Sequence, residues 1–121
     1  RISEVPKYSG ISTLSDTPTR ITEHPECGTY TEESVTCTTI DAFMEDSGID
    51  LLSAIKIDSE GSELAIFKGA VNTILTHKPL ILFEYCDLNM VQFGNKKEEL
   101  ISFLKNLGYE NFDIMAGDAI A

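Results

Sequence analysis

Asp58, Glu60, Glu63 and Glu84 are the carboxylates whose positions could do chemistry. The first three crowd into the stretch Ile55-Lys-Ile-Asp-Ser-Glu-Gly-Ser-Glu63, and Glu84 ends the apolar run Leu80-Ile-Leu-Phe83. Carboxylates brought close together raise one another's pKa, and can then accept a proton or hold a divalent cation. Each also has a plainer use, facing water or sitting at a helix start, where negative charge stabilises by about 0.3–1 kcal/mol. Capping alone does not require so many acids in one turn. Gly61, set among them, predicts a backbone that turns tightly or comes close to something.

Other polar residues point to structure more than to chemistry. His24 and His77 lie near prolines, far apart and without ligand spacing. Cys86 follows Glu84 with no histidine nearby and reads as a small buried residue. Tyr85 could line a pocket, but an aromatic after a strand usually packs. Lys56 is expected to point out from an edge or pair with an acid. Ser12 and Ser15 lack the context of a nucleophile elbow. None of the eight glycines forms a Gly-x-Gly, so neither a dinucleotide fingerprint nor a phosphate loop is present.

The elements that must position these acids follow from apolar periodicity. Residues 1–34 are dense in Ser, Thr, Pro and Gly and read as loop, with one short strand around Ile11–Leu14. Val35–Ile40 is β-branched and predicts a strand. Asp41 is expected to cap a short helix that carries Phe43 and Met44 and ends at Gly48. Ala54–Asp58 predicts a short buried strand. Residues 62–77 place Leu64, Phe67, Val71 and Ile74 at helical spacing, beside Leu75, and Pro79 stops that helix. Leu80–Glu84 then reads as a strand covered on both faces. A loop to Gly94 follows, and Asn95 with Glu98 resembles a capping box. The next helix runs through Leu100, Ile101, Leu104 and Leu107 and ends at Gly108. Tyr109–Met115 predicts a final strand. Strands alternating with helices imply a mostly parallel sheet, in which ligands sit beyond the carboxyl ends of the strands. Asp58 and Glu84 lie at two such ends.

The totals bound the function classes. A chain of 121 residues suits one domain. Its net charge of −11 argues against a nucleic-acid or anionic-membrane partner, because nine basic residues among twenty acids cannot build a positive surface. The apolar run at 80–83 is far too short for a membrane span of about 20 residues. Three cysteines, odd in number and without Cys-x-x-Cys spacing, argue against a disulfide framework and a cysteine-based zinc site, and reduced thiols in the cytoplasm are the simplest expectation.

Taken together, Thr39-Ile-Asp41, Lys56-Ile-Asp58, Glu60-Gly61, Glu63, Phe67-Lys-Gly-Ala70, Pro79, Glu84 and Leu107-Gly-Tyr109 resemble the FkbM-like family of S-adenosylmethionine-dependent methyltransferases. The matches run in order over about residues 35–115. The resemblance implies an α/β, Rossmann-like fold with a mostly parallel sheet, and methyl transfer from S-adenosylmethionine to a hydroxyl oxygen of a sugar or related metabolite. It also implies Asp58 as the catalytic carboxylate that takes the hydroxyl proton, with Glu60, Gly61 and Glu84 on the substrate side.

The family's acidic-x-Gly-x-Gly segment and its ribose-binding acid have no counterpart in this sequence. The expectation is therefore an incomplete domain that begins after the third strand: a loop-rich segment over 1–34, then the carboxyl-terminal half of the fold over 35–115. Such a chain would bind S-adenosylmethionine poorly by itself. Two other readings stay open, a non-catalytic α/β interaction module and a divalent-metal carboxylate site.

Overall fold

A computed structural model describes residues 2–4, 14, 31–115 and 117–121. The short strand expected around Ile11–Leu14 lies outside the described residues, apart from Leu14. Strands β1 (Ile2–Glu4) and β2 (Thr31–Glu33) pair antiparallel, Ile2 opposite Glu33, where the sequence pattern indicated loop. Residues 34–39 are not a strand. Thr39, itself in an extended conformation, caps helix α1 (Ile40–Ser47) by accepting the Ala42 N–H at 3.1 Å. The cap is thus Thr39 rather than Asp41. Gly48 closes α1 in the left-handed conformation, as its position predicted.

The main sheet has four strands: β3 (Ala54–Ile57), β4 (Leu80–Glu84), β5 (Asp113–Met115) and β6 (Asp118–Ile120), in the order β3-β4-β6-β5. β3 and β4 are parallel, with Ile57 opposite Phe83, while β6 runs antiparallel to both β4 and β5. The sheet is therefore mixed, not mostly parallel. The cause is local: the link between Met115 and Asp118 is too short for a crossover and can join only antiparallel neighbours. Gly117, at φ 100°, makes that turn.

The helical run expected over 62–77 is two helices, α2 (Glu63–Lys68) and α3 (Val71–His77), separated at Gly69 and Ala70. Asp41 bridges the break. Its N–H donates to the Gly69 carbonyl at 3.0 Å, and its carboxylate accepts from the Asn72 and Thr73 N–H groups and from Thr73 Oγ1, at 3.1, 2.8 and 2.7 Å. The orphan donors of α3 are thereby capped from another helix. A short helix, α4 (Asp87–Val91), occupies what read as loop after β4. Helix α5 (Lys97–Asn106) starts one residue later than the Asn95–Glu98 box implied, since Glu99 accepts the Lys96 N–H at 3.3 Å. Gly108 follows α5 at φ 93°.

Register decides which face is buried. Ile57, Ile81, Phe83 and Ala119 share one face and join Leu64, Phe67, Ile74, Met90, Leu100 and Leu104 in the core. Phe67 meets Phe83 edge-on at 5.3 Å between ring centroids and stacks with Phe103 at 6.5 Å. Each buried ring or aliphatic chain contributes roughly 1.5–3 kcal/mol. The opposite face, carrying Lys56, Leu80 and Asp118, is exposed at those positions, so β4 is covered on one face rather than two. β3 likewise buries only Ile57. Among the described residues no helix is long and apolar enough to cross a membrane.

Candidate active site

Beyond Ile57 the chain makes a turn over Ser59–Ser62, in which the Ser62 N–H faces the Ser59 carbonyl at 3.5 Å. Both central residues have positive φ, 52° at Glu60 and 103° at Gly61, as in a type I′ turn. Glycine adopts that conformation without strain, but glutamate does so at a cost of order 1–3 kcal/mol, and only where its surroundings enforce it. Two restraints are visible. Gln92 Nε2 donates to the Glu60 carbonyl at 2.7 Å. Glu63, only 1% exposed, turns its carboxylate back into the turn and accepts from Ser59 N–H, Ser59 Oγ and Gly61 N–H at 3.0, 2.7 and 3.3 Å. Glu63 does open α2, yet it is an internal clasp and not a surface charge at a helix start.

Gly61 is buried for a steric reason. A Cβ there would stand 2.1 Å from the Asn89 carbonyl oxygen and 3.0 Å from the Phe93 ring. The turn is therefore packed directly on α4. Asn89, 1% exposed, faces the second strand end as well: its Nδ2 donates to both oxygens of Glu84 at 2.8 Å. Its Oδ1 is buried without a hydrogen-bond partner.

Asp58 follows the last paired position of β3, where Ile57 lies opposite Phe83, and Glu84 follows Phe83 on β4. Neighbouring strands lie about 4.8 Å apart, so parallel pairing brings these acids to the same end of the sheet. Asp58 and Lys56 meet across that surface, with Nζ 3.4 Å from Oδ2 and side chains 68% and 57% exposed for Lys56 and Asp58. A pair so exposed contributes at most about 1 kcal/mol. Lys56 thus pairs with an acid, as its position implied. Glu60 and Glu84 are half-buried, Asp58 is exposed and Gly61 is buried.

Tyr85 packs edge-on against Phe83 at 6.3 Å, with Lys97 Nζ 5.3 Å above its ring. Partial burial and then the Glu98 charge push the Tyr85 hydroxyl above its ordinary value, against the opposing effect of Lys97. The Lys97 ammonium is itself held up by its 3.0 Å ion pair with Asp87. Cys86, half-buried, and Cys37, exposed, are free thiols. His77 lies in the last turn of α3, and His24, Cys27, Ser12 and Ser15 lie outside the described residues.

A mostly apolar cavity of about 390 Å³ opens between the entry to α1, at Thr38 and Thr39, and the start of α2, at Ser62, Ala65 and Ile66. Its lining includes neither Asp58 nor Glu84. Among the described residues no three His, Cys, Asp or Glu side chains gather as a metal site would need. What the strand ends present is an exposed carboxylate, a half-buried carboxylate in a fixed orientation, and a rigid turn between them. Such a surface can accept a proton and hydrogen-bond hydroxyl groups.

Sequence reasoning missed Asn89 and Gln92. A five-residue helix is too short to show periodicity, and only Asp87 at its first position hinted at a helix start. A family model described as the methyltransferase FkbM domain matches residues 4–110. No curated protein and no solved structure matches the chain.

Proposed function

Because the chain belongs to the FkbM methyltransferase domain family, we propose that it serves O-methylation of a hydroxylated small molecule, a sugar or related metabolite, with S-adenosylmethionine as donor. The observation that supports this reading is the parallel register of β3 and β4, with Ile57 opposite Phe83, after which Asp58 and Glu84 follow at the same end of a half-covered sheet. S-adenosylmethionine, when bound, would supply an electrophilic methyl group to the substrate oxygen and would leave as the neutral thioether. Asp58 takes the proton that this oxygen loses, and its exposure leaves it open to a substrate from solvent. Lys56 steadies the Asp58 carboxylate from the same face. Glu84 and Glu60 accept hydrogen bonds from substrate hydroxyls, and Gly61 gives the turn beneath them its shape.

No donor contact is assigned to the described residues. At the turn after β3, the space beside Gly61 is taken by the Asn89 carbonyl. A cytoplasmic setting is part of the same proposal, in which Cys37 and Cys86 serve as free thiols.

The test uses the full-length protein, S-adenosylmethionine with a labelled methyl group, and a panel of methyl hexopyranosides. Label is expected in an ether product. Asp58→Asn should lower turnover by about 10²–10⁴-fold at unchanged melting temperature, the range that one positioned acid or base supplies. Turnover retained by Asp58→Asn would remove Asp58 from the chemistry.

A further inference from the structure

We propose that Asn89 is a positioning residue, which fixes the Glu84 carboxylate for the substrate through its side-chain amide. The inference rests on the methyl-transfer reading, because it concerns the hydroxyl-binding side of that same strand end. Asn89 is a poor choice for stability alone. It sits on a helix among Met90 and other core groups, it is 1% exposed, and its Oδ1 has no hydrogen-bond partner. An apolar residue of similar size would avoid that unsatisfied acceptor. What asparagine adds is a bifurcated contact, its Nδ2 standing 2.8 Å from each Glu84 oxygen.

A donor of this kind suits the task. A lysine or arginine would orient the carboxylate but also cancel its charge, whereas a neutral amide sets the orientation and leaves the charge to act on a substrate hydroxyl. The support is rigid on its other side too. The Asn89 backbone carbonyl abuts Gly61, and Gln92, three residues on, holds the Glu60 carbonyl. The α4 segment therefore ties the Glu84 strand end to the turn that follows Asp58, and sets the spacing between the proposed proton acceptor and the hydroxyl-binding carboxylate.

Asn89→Leu and Asn89→Asp in the full-length protein test this. Leucine keeps the branched outline and removes the donor. Aspartate keeps the shape but donates only when protonated. With a methyl hexopyranoside that the wild type methylates, Asn89→Leu should raise KM about tenfold or more with a smaller change in kcat. Asn89→Asp should be impaired at neutral pH and recover as the pH falls, a profile that the wild type lacks. Separately, the Asn89 side-chain amide protons in the wild type should resist solvent exchange and shift as a single carboxylate titrates.

Unchanged KM in Asn89→Leu, or an amide that exchanges freely and ignores the titration, overturns the proposal. If the wild type methylates none of the glycosides while the amide signature is present, the clamp stands and the methyl-transfer reading falls.

Discussion

At the scale of single residues, the acids divide by environment and not by type. Asp58 is solvated and loosely paired, Glu84 is held by an amide, and Glu63 is buried among three donors. Sequence position identified the strand ends and the pair Asp58 and Glu84, because apolar runs followed by acids mark where a strand leaves the core. It did not identify Glu63 as internal. That role depends on Glu60 entering the left-handed region, which nothing in a glutamate announces. Gly61 is the residue on which the turn depends. Gly61→Ala combines a positive φ with a collision against the backbone of α4, and should destabilise by about 2–4 kcal/mol in urea unfolding. A loss below about 1 kcal/mol would mean that the turn and α4 separate easily.

At the scale of elements, apolar spacing located the stretches now seen as α2, α3, β4 and α5, while their ends obeyed longer-range contacts. The break at Gly69 is invisible in periodicity, since Leu64, Phe67 and Ile74 remain in phase across it. It becomes intelligible once Asp41, distant in sequence, caps α3. Partial burial opposes ionisation of the Asp41 carboxyl, but the hydrogen bonds from Thr73 Oγ1, Thr73 N–H and Asn72 N–H outweigh it and hold the pKa below the ordinary 3.8. The sign follows from linkage. With the folded value depressed, the stabilisation is complete above the unfolded-state value and is lost as pH falls through the folded one. Asp41→Ala should cost about 0.5–2 kcal/mol at pH 7, as for other lost helix caps, and the gap to wild type should shrink in acid. Denaturant midpoints at pH 7 and pH 3 measure both.

At the scale of the whole molecule, alternating strands and helices made an α/β class legible, yet the sheet is mixed because β6 was not foreseen. Asp118–Ile120 is short, with an acid at its start, and lacks the β-branched run that marks a strand. Its partners, not its composition, make it one. Ala119 is fully buried opposite Phe83 and Ile114. Ala119→Leu would overfill that layer, and a loss of about 1–3 kcal/mol with unchanged m-value is expected in urea titrations. A neutral result would place slack between β4 and β5. The order β3-β4-β6-β5 also bears on how the chain is made. The third strand in space is the last of the four to be synthesised. At about 5–20 residues per second, β4 waits roughly 2–7 s for its neighbour to leave the ribosome. Throughout that interval Ile81 and Phe83 border an unpaired strand edge, the state most open to wrong pairing. The nascent protein is thus most in need of a chaperone after α5 has emerged and before β6 does.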